Sequence, residues 1–104
     1  MARFDVYANP DSSERRYTPY FVDVQNDFID GLATRVVIPL RKEAAFALPA
    51  RDLNPMISVL GTSLVLDTAA LGAVPVTELR KAVLNLREER ELIHDAIDAL
   101  FGGY

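Results

Sequence analysis

The sequence predicts a small antiparallel β barrel or sandwich with one long helix at its C-terminal end. Short segments of alternating apolar and polar residues recur along the first part of the chain, separated by turn-forming residues. Residues 86–101 hold a helical pattern that neither proline nor glycine interrupts. Strands followed by one terminal helix predict the all-β or α+β class. With 104 residues, 50% of them hydrophobic and 25% charged, we expect a single domain with its own core.

The first three predicted strands follow from this alternation. Residues 3–7, 17–24 and 34–41 each place apolar side chains at every second position. Pro39 in the third segment lacks an N–H, so we expect it at a sheet edge or a bulge. The faces predicted to point into the core are formed by Phe4 and Val6, by Tyr20, Val22 and Val24, and by Val36, Ile38 and Leu40.

The middle of the chain predicts a loop and then a hairpin. Residues 42–54 read as a loop with room for one helical turn. Residues 56–60 and 63–67 are predicted strands joined by Gly61 and Thr62, and glycine at the first position of a two-residue loop is typical of a type II′ turn. We also expect short strands at residues 69–71 and 73–76, and a short helix at residues 78–84.

The C-terminal helix has predicted start and stop signals. Asn85 is the expected N-cap, and Glu88 three residues later would complete a capping box. A helix over residues 86–101 would be roughly 24 Å long. Gly102 and Gly103 would end it, because glycine is favoured where helices stop. The apolar stripe at helical spacing is Leu86, Ile93, Ile97 and Leu100.

Two features make the helix end and the tail a candidate protein-binding site. Tyr104 follows two glycines and is either a frayed terminus or a contact tip. Asp95 and Asp98 lie near the helix C-terminus, where the helix dipole disfavours an anion by roughly 0.3–1 kcal/mol. An exposed position that breaks a local rule can mark a contact surface. The acidic residues predicted on one helix face, usually no more than a solvated face, are Glu88, Glu91, Asp95 and Asp98.

Charge and composition exclude several classes of function. The net charge is −4, with 11 basic residues scattered among 15 acidic ones, so we expect no direct nucleic-acid partner. The chain has no cysteine, which excludes disulfides and thiolate metal sites and suits the cytoplasm. We see no signal peptide and no apolar run near the ~18 residues of a membrane span. We therefore expect a cytoplasmic protein with no membrane partner.

The sequence predicts no catalytic residue, cofactor or metal site. His94 is the single histidine, and a solvent-facing position on the helix is favoured over a catalytic role. One histidine among scattered carboxylates is a weak signal for a metal. Arg15 and Arg16 beside Tyr17 and Tyr20 are the nearest approach to a basic, aromatic nucleic-acid patch, and we interpret them as loop charge next to a strand.

A long and specific motif occupies the middle of the chain, and matching segments flank it. The residues are Phe4 and Val6-Tyr7, then Phe21-Val22-Asp23-Val24-Gln25, Asp27, Ile29, Asp30, Arg35 and Val37-Ile38-Pro39-Leu40, then Val74-Pro75-Val76, Ala96-Ile97, Phe101 and Gly103. On these residues the chain resembles the CcdB family of toxins. The resemblance covers essentially the whole chain, with small length differences near Asp11 and between Lys42 and Asn54.

The resemblance implies a homodimer of a small SH3-like barrel with a long C-terminal helix, a fold that the MazF and Kid ribonucleases share. It implies the toxin of a toxin–antitoxin operon that is not an enzyme, binds the A subunit of DNA gyrase and traps gyrase on cleaved DNA. It also implies a CcdA-like antitoxin whose disordered segment folds on the toxin. Apolar residues nearly all round the helix end separately favour a homodimer. They are Leu92, Ile93, Ala96, Ile97, Ala99 and Leu100.

Carried over by position, the gyrase-contacting residues would be Asn26, Phe28, Ile29, Asp98, Phe101, Gly102, Gly103 and Tyr104. The family typically has Trp-Gly-Ile where this chain has Gly102-Gly103-Tyr104. Because glycine offers no anchoring side chain, we expect weakened gyrase binding unless Tyr104 restores the lost contact. Two alternatives remain open. One is a ribonuclease of the related fold, which the acidic net charge and single histidine disfavour, and the other is a relative that binds only its antitoxin.

Overall fold

The computed structural model describes residues 1–29 and 31–102, which form one curled antiparallel sheet and one α-helix. The strands are β1 (Asp5–Ala8), β2 (Tyr20–Asp23), β3 (Thr34–Lys42), β4 (Met56–Val59), β5 (Thr62–Leu66), β6 (Gly72–Pro75) and β7 (Leu84–Asn85), followed by α1 (Arg90–Phe101). Along the sheet the order is β4-β5-β3-β2-β1-β7, and β6 pairs with β3 beside β5. The predicted small barrel with a C-terminal helix is confirmed as a curled, half-barrel sheet that carries α1.

The core lies between the concave face of the sheet and the helix. Val6 pairs with Val22 and Val22 with Ile38, so the same face of three neighbouring strands is apolar. Ile93 and Ala96 of α1 are fully buried in the same cluster. Each fully buried aliphatic side chain contributes roughly 1.5–3 kcal/mol. All the side chains predicted on the inner faces of the first three strands belong to this cluster or pack against it: Phe4, Val6, Tyr20, Val22, Val24, Val36, Ile38 and Leu40.

Pro39 lies in the middle of the sheet, so of the two places predicted for it, an edge or a bulge, the edge is wrong. It pairs with Phe21 of β2 on one side. On the other side, β3 changes partner: its pairing with β6 stops at Val37, and its pairing with β5 starts at Leu40. The Pro39 carbonyl still accepts a hydrogen bond from the Asp67 N–H at 2.9 Å. The missing proline N–H therefore falls where one ladder stops and the next has not yet begun.

The hairpin between β4 and β5 is confirmed, but its turn is of a different type. Val59 pairs with Thr62, so the two-residue loop is Leu60 and Gly61. Both have positive φ, at 50° and 83°, which defines a type I′ turn in place of the predicted II′ turn. Glycine therefore takes the second loop position, and Leu60 is held in a left-handed conformation that a leucine seldom adopts.

Two of three short elements differ from prediction. Thr68–Ala70 forms a 3₁₀ turn where a strand was expected, whereas Glu43–Ala45 is the helical turn expected in its loop. A 3₁₀ turn ends at Glu78 and residues 79–84 form no helix; the end of this segment pairs with β1, where the Val83 N–H donates to the Val6 carbonyl at 2.8 Å. Pairing with a sheet edge satisfies its backbone in place of a helix.

Helix α1 starts later than predicted. A 3₁₀ turn at Arg87–Glu89 precedes it, and Asn85 lies in β7, where its Oδ1 accepts the Arg87 N–H at 2.8 Å. Glu89 is the N-cap and makes no side-chain capping bond, so the predicted capping box is wrong. The 12-residue helix is about 18 Å long. Its end is as predicted: Gly102 takes φ 74°, and its N–H donates to the Asp98 carbonyl.

Candidate functional site

The loop that follows β2 displays two apolar side chains to solvent. Asn26 makes two hydrogen bonds within the loop. Its Oδ1 accepts the Phe28 N–H at 2.9 Å, and its carbonyl accepts the Ile29 N–H at 3.1 Å. This local bonding turns the chain and needs no packing from Phe28. Phe28 is therefore 96% exposed and Ile29 46% exposed. Asn26, Phe28 and Ile29, three of the eight residues named from the family resemblance, lie together in this loop.

The end of α1 displays a second aromatic ring. Phe101, the last residue of the helix, is 69% exposed, and Asp98 one turn earlier is also exposed. Gly102 follows in the left-handed conformation. The remaining two residues of the predicted site, Gly103 and Tyr104, lie outside the described residues, so the contact-tip hypothesis stays a prediction.

A series of contacts links the loop to the helix. The Arg3 N–H donates to Asp27 Oδ1 at 2.6 Å, and Asp27 immediately precedes Phe28. The Arg3 guanidinium lies 5.1 Å from the centre of the neighbouring Phe4 ring. The Phe4 ring in turn lies 5.6 Å from the ring of His94 on α1. His94 is thus half-buried against an aromatic neighbour, and the prediction that it faces solvent is wrong.

Helical spacing extends this link to the helix end. His94, Asp98 and Phe101 are separated by four and three residues, so they lie along one face of α1. The face that contacts Phe4 therefore continues to the exposed ring of Phe101. The loop with Phe28 and the helix that ends at Phe101 are thus joined by contacts through Arg3, Phe4 and His94.

Beneath the loop lies a buried ion pair to which the sequence analysis gave no role. Arg35 of β3 binds Asp23 of β2 with two hydrogen bonds, from Nε to Oδ2 at 2.6 Å and from Nη2 to Oδ1 at 3.0 Å. Asp23 is fully buried and Arg35 is only 7% exposed. The bonds to Asp23 raise the pKa of the Arg35 guanidinium despite its desolvation. Asp27 adds a weaker contact to Arg35 at 3.8 Å.

The same pair organises the chain at the start of the loop. Asp23 Oδ1 accepts the Gln25 N–H at 2.9 Å, and the Asp23 carbonyl accepts the Phe4 N–H at 2.6 Å. Tyr7 lies nearby, and its hydroxyl donates to Asp5 Oδ2 at 3.4 Å. Burial, together with the charges of Asp5 and Asp23, raises the Tyr7 pKa from 10.0 to about 12. The sequence signal that could have revealed this pair is Asp23, a charged residue between Val22 and Val24 in a predicted strand.

The basic residues that precede β2 bond within their own loop in the described part of the chain. Arg16 Nη2 donates to the Tyr17 hydroxyl at 2.8 Å, and its guanidinium lies 4.8 Å from the Tyr17 ring centre. Arg15 Nε donates to the Asn9 carbonyl at 2.6 Å. These bonds agree with loop charge next to a strand. The acidic side chains of the helix region, Glu88, Glu91, Asp95 and Asp98, are all exposed.

Comparison with known protein families identifies the chain. A family model described as CcdB protein matches residues 3–103. The chain belongs to the CcdB family. Membership in the CcdB family makes it the toxin of a toxin–antitoxin system.

In the part of the chain that the structure describes, no helix is both long and apolar enough to cross a membrane, and no three acidic or histidine side chains gather as metal ligands.

Proposed function

We propose that this CcdB-family toxin acts in the cytoplasm by binding the A subunit of DNA gyrase and holding gyrase on cleaved DNA, without catalysing a reaction itself. The observation that carries the proposal is the pair of exposed aromatic rings, Phe28 in the loop and Phe101 at the end of the helix to which Arg3 and Phe4 link that loop. Aromatic side chains supply much of the binding energy at protein interfaces, often ≥ 2 kcal/mol for one residue. Exposed rings of this kind serve a binding toxin better than an enzyme.

The proposed contact surface combines the loop and the helix end. Ile29 adds apolar area beside Phe28, while Asn26 and Asp98 provide polar groups at the rim. Such an arrangement of apolar anchors with a polar rim is typical of protein interfaces. The full proposed set is Asn26, Phe28, Ile29, Asp98, Phe101, Gly102, Gly103 and Tyr104.

Gly102 determines how tightly this surface would bind. Family members typically have tryptophan at this position, and the loss of one such anchor weakens binding by ~2–4 kcal/mol. Space is open around Gly102, since a Cβ placed there meets no atom within 4 Å. Its φ of 74° nevertheless disfavours a side chain by about 1–2 kcal/mol. We therefore expect Gly102→Trp to gain a net ~0–3 kcal/mol, or up to roughly 150-fold in affinity.

Calorimetry with the dimerisation segment of the gyrase A subunit tests this proposal. We expect weak binding by the wild type and a clear gain for Gly102→Trp. Gly61→Trp is the matched control, because Gly61 also has positive φ and open space but lies in the β4–β5 hairpin. Absence of binding by both the wild type and Gly102→Trp would refute gyrase as the target. Tight wild-type binding that Tyr104→Ala abolishes would show that the tyrosine replaces the missing anchor.

We also propose a homodimer and an antitoxin partner. On α1, Leu92 is 42% exposed, and Ile97, Ala99 and Leu100 are only half-buried. A second copy would cover this apolar area. Light scattering that shows only monomer at micromolar concentration would refute the dimer.

The antitoxin would be a short protein encoded upstream, with a disordered segment that folds on binding. A gene without such a neighbour would count against a toxin–antitoxin role.

The ribonuclease alternative gains no support from the site. An RNA-cleaving enzyme needs an acid–base pair in a basic groove. His94, the single histidine, instead packs on the ring of Phe4. Incubation with total RNA separates the two functions, because distinct cleavage products would favour a ribonuclease over a gyrase-binding toxin.

A further inference from the structure

Two buried hydrogen-bond donors in the described part of the chain have no partner, and both flank the loop after β2. They are Arg3 Nε and Gln25 Nε2. Buried polar groups in native proteins are almost always hydrogen-bonded, so each exception calls for a physical explanation. Arg3 holds the loop through Asp27, and Gln25 immediately precedes Asn26. The shared position of the two donors indicates that a group from another molecule completes the bonding at this loop.

The amide of Gln25 is fixed in one orientation. Gln25 Oε1 accepts the Val36 N–H at 3.0 Å. If the amide were flipped, its NH₂ group would face the Val36 N–H, and two donors would meet. Nε2 is therefore the unpaired atom, and it can only donate. The group that completes this site must be a hydrogen-bond acceptor.

Gln25 also lines a cavity of about 280 Å³ that adjoins the loop. Three apolar side chains at its rim are partly open to solvent: Met1 at 55%, Leu32 at 54% and Ile29 at 46% exposure. An apolar rim around an unpaired donor fits a peptide segment that offers one apolar side chain and one acceptor. Nε2 is itself covered, so a neighbouring side chain must move before an acceptor reaches it.

Charge selects a neutral acceptor over an anion. The charged groups around Gln25 include the Arg35 guanidinium and the carboxylates of Asp23 and Asp27. Arg35 Nε lies 2.6 Å from Asp23 Oδ2, and Arg35 Nη2 lies 3.8 Å from Asp27 Oδ1. Together with Arg3, whose backbone N–H also bonds Asp27, two cations face these two anions, so the charges are already matched and a neutral acceptor needs no further counter-charge. A backbone carbonyl meets the requirement without adding charge.

We infer that Gln25 Nε2 donates a hydrogen bond to a backbone carbonyl of the gyrase A subunit, next to an apolar gyrase side chain that fills the cavity between Met1, Ile29 and Leu32. This inference rests on the proposed function and extends its surface from Ile29 into the cavity. Gln25 is thus a residue that positions and selects the partner, and the exposed loop residues supply the contact area.

Gln25→Glu tests the hydrogen bond with little change of shape. The glutamate keeps an oxygen for the Val36 N–H and replaces the Nε2 donor by an acceptor that repels a carbonyl. We expect its affinity for the gyrase dimerisation segment to fall at least tenfold. Because the new carboxylate is buried near Asp23 and Asp27, the thermal midpoint should also fall, so binding is measured at a temperature at which circular dichroism shows the variant folded. Leu32→Ser is the second variant: it alters the exposed rim, cannot disturb the buried amide, and should weaken binding about threefold or more.

Four outcomes separate this inference from the proposed function, and calorimetry is run in the wild-type and Gly102→Trp backgrounds. Losses of affinity by both variants with intact folding support it. Binding that Gln25→Glu leaves unchanged overturns this inference alone. A Gln25→Glu protein that fails to fold, combined with full binding by Leu32→Ser, also overturns it, because the amide would then serve the fold. If neither background binds gyrase at all, the proposed function fails and this inference fails with it.

Discussion

The end of β2 and the loop after it are neighbours in sequence but opposite in environment. Asp23 is fully buried in an ion pair with Arg35, whereas Phe28, five residues later, is 96% exposed. The polar residue is inside and the large apolar residue is outside, the reverse of the usual distribution. We infer that the buried pair holds the base of the loop so that its apolar residues remain available for a partner. Stability and recognition are thus assigned to different residues of one short segment.

The largest expected effect comes from breaking the buried pair. Asp23→Ala leaves the Arg35 guanidinium buried beside Asp27 alone, which should lower the free energy of unfolding by about 3–5 kcal/mol. Asp67→Ala is the matched control: its partner Arg41 is 33% exposed and can be solvated, so we expect a loss of about 1 kcal/mol. Urea denaturation measures both values. Equal losses for the two variants would contradict the special role of the Asp23–Arg35 pair.

A second test of the buried region uses pH. The Tyr7 pKa is raised to about 12 in the folded state, so the unfolded chain loses this proton first as the pH rises. The stability linked to Tyr7 is therefore complete below pH 10 and is lost between pH 10 and pH 12. Two units correspond to about 2–3 kcal/mol. Chemical denaturation at several pH values should show this loss in the wild type and a smaller one in Tyr7→Phe, and identical slopes would disprove the assignment.

The smallest expected effect on stability comes from the exposed side of the comparison. Phe28→Ala removes a ring that is 96% exposed, so the free energy of unfolding should change by no more than about 0.5 kcal/mol. If the loop is a gyrase-binding surface, the same variant should bind the gyrase dimerisation segment about 30-fold more weakly, as expected for a loss of ~2 kcal/mol. A large fall in stability would show that Phe28 belongs to the fold and not to the interface.

Patterns of burial were predictable from the sequence because they depend on local alternation. The inner faces of the first three strands follow the period of two that a half-buried strand requires, and these faces are confirmed. The stop of α1 at Gly102 was equally local, since a left-handed residue at a helix end favours glycine. Family membership also followed from linear motifs.

Other features depended on contacts between distant segments. Pro39 is tolerated in mid-sheet only because β3 changes partner there, and Asn85 joins β7 because the Asp5 backbone is available to pair with it. The start of α1 differs from the prediction for the same reason, because its expected N-cap, Asn85, pairs with Asp5 in the sheet. His94 faces Phe4, which lies ninety residues earlier in the chain. A single sequence does not reveal such pairings, because each depends on where another segment is placed.

The sequence by itself determined the inner faces of the first three strands, where the helix ends and to which family the chain belongs, because these properties lie in local pattern and linear motif. Only the tertiary structure decided that Asp23 and Arg35 pair beneath the loop, that Gln25 keeps a donor unpaired, and that Phe28 and Phe101 stay exposed. The physical reason is desolvation. A charge or an amide has a strong effect only when other segments remove water from it, and that removal happens only when the chain has folded.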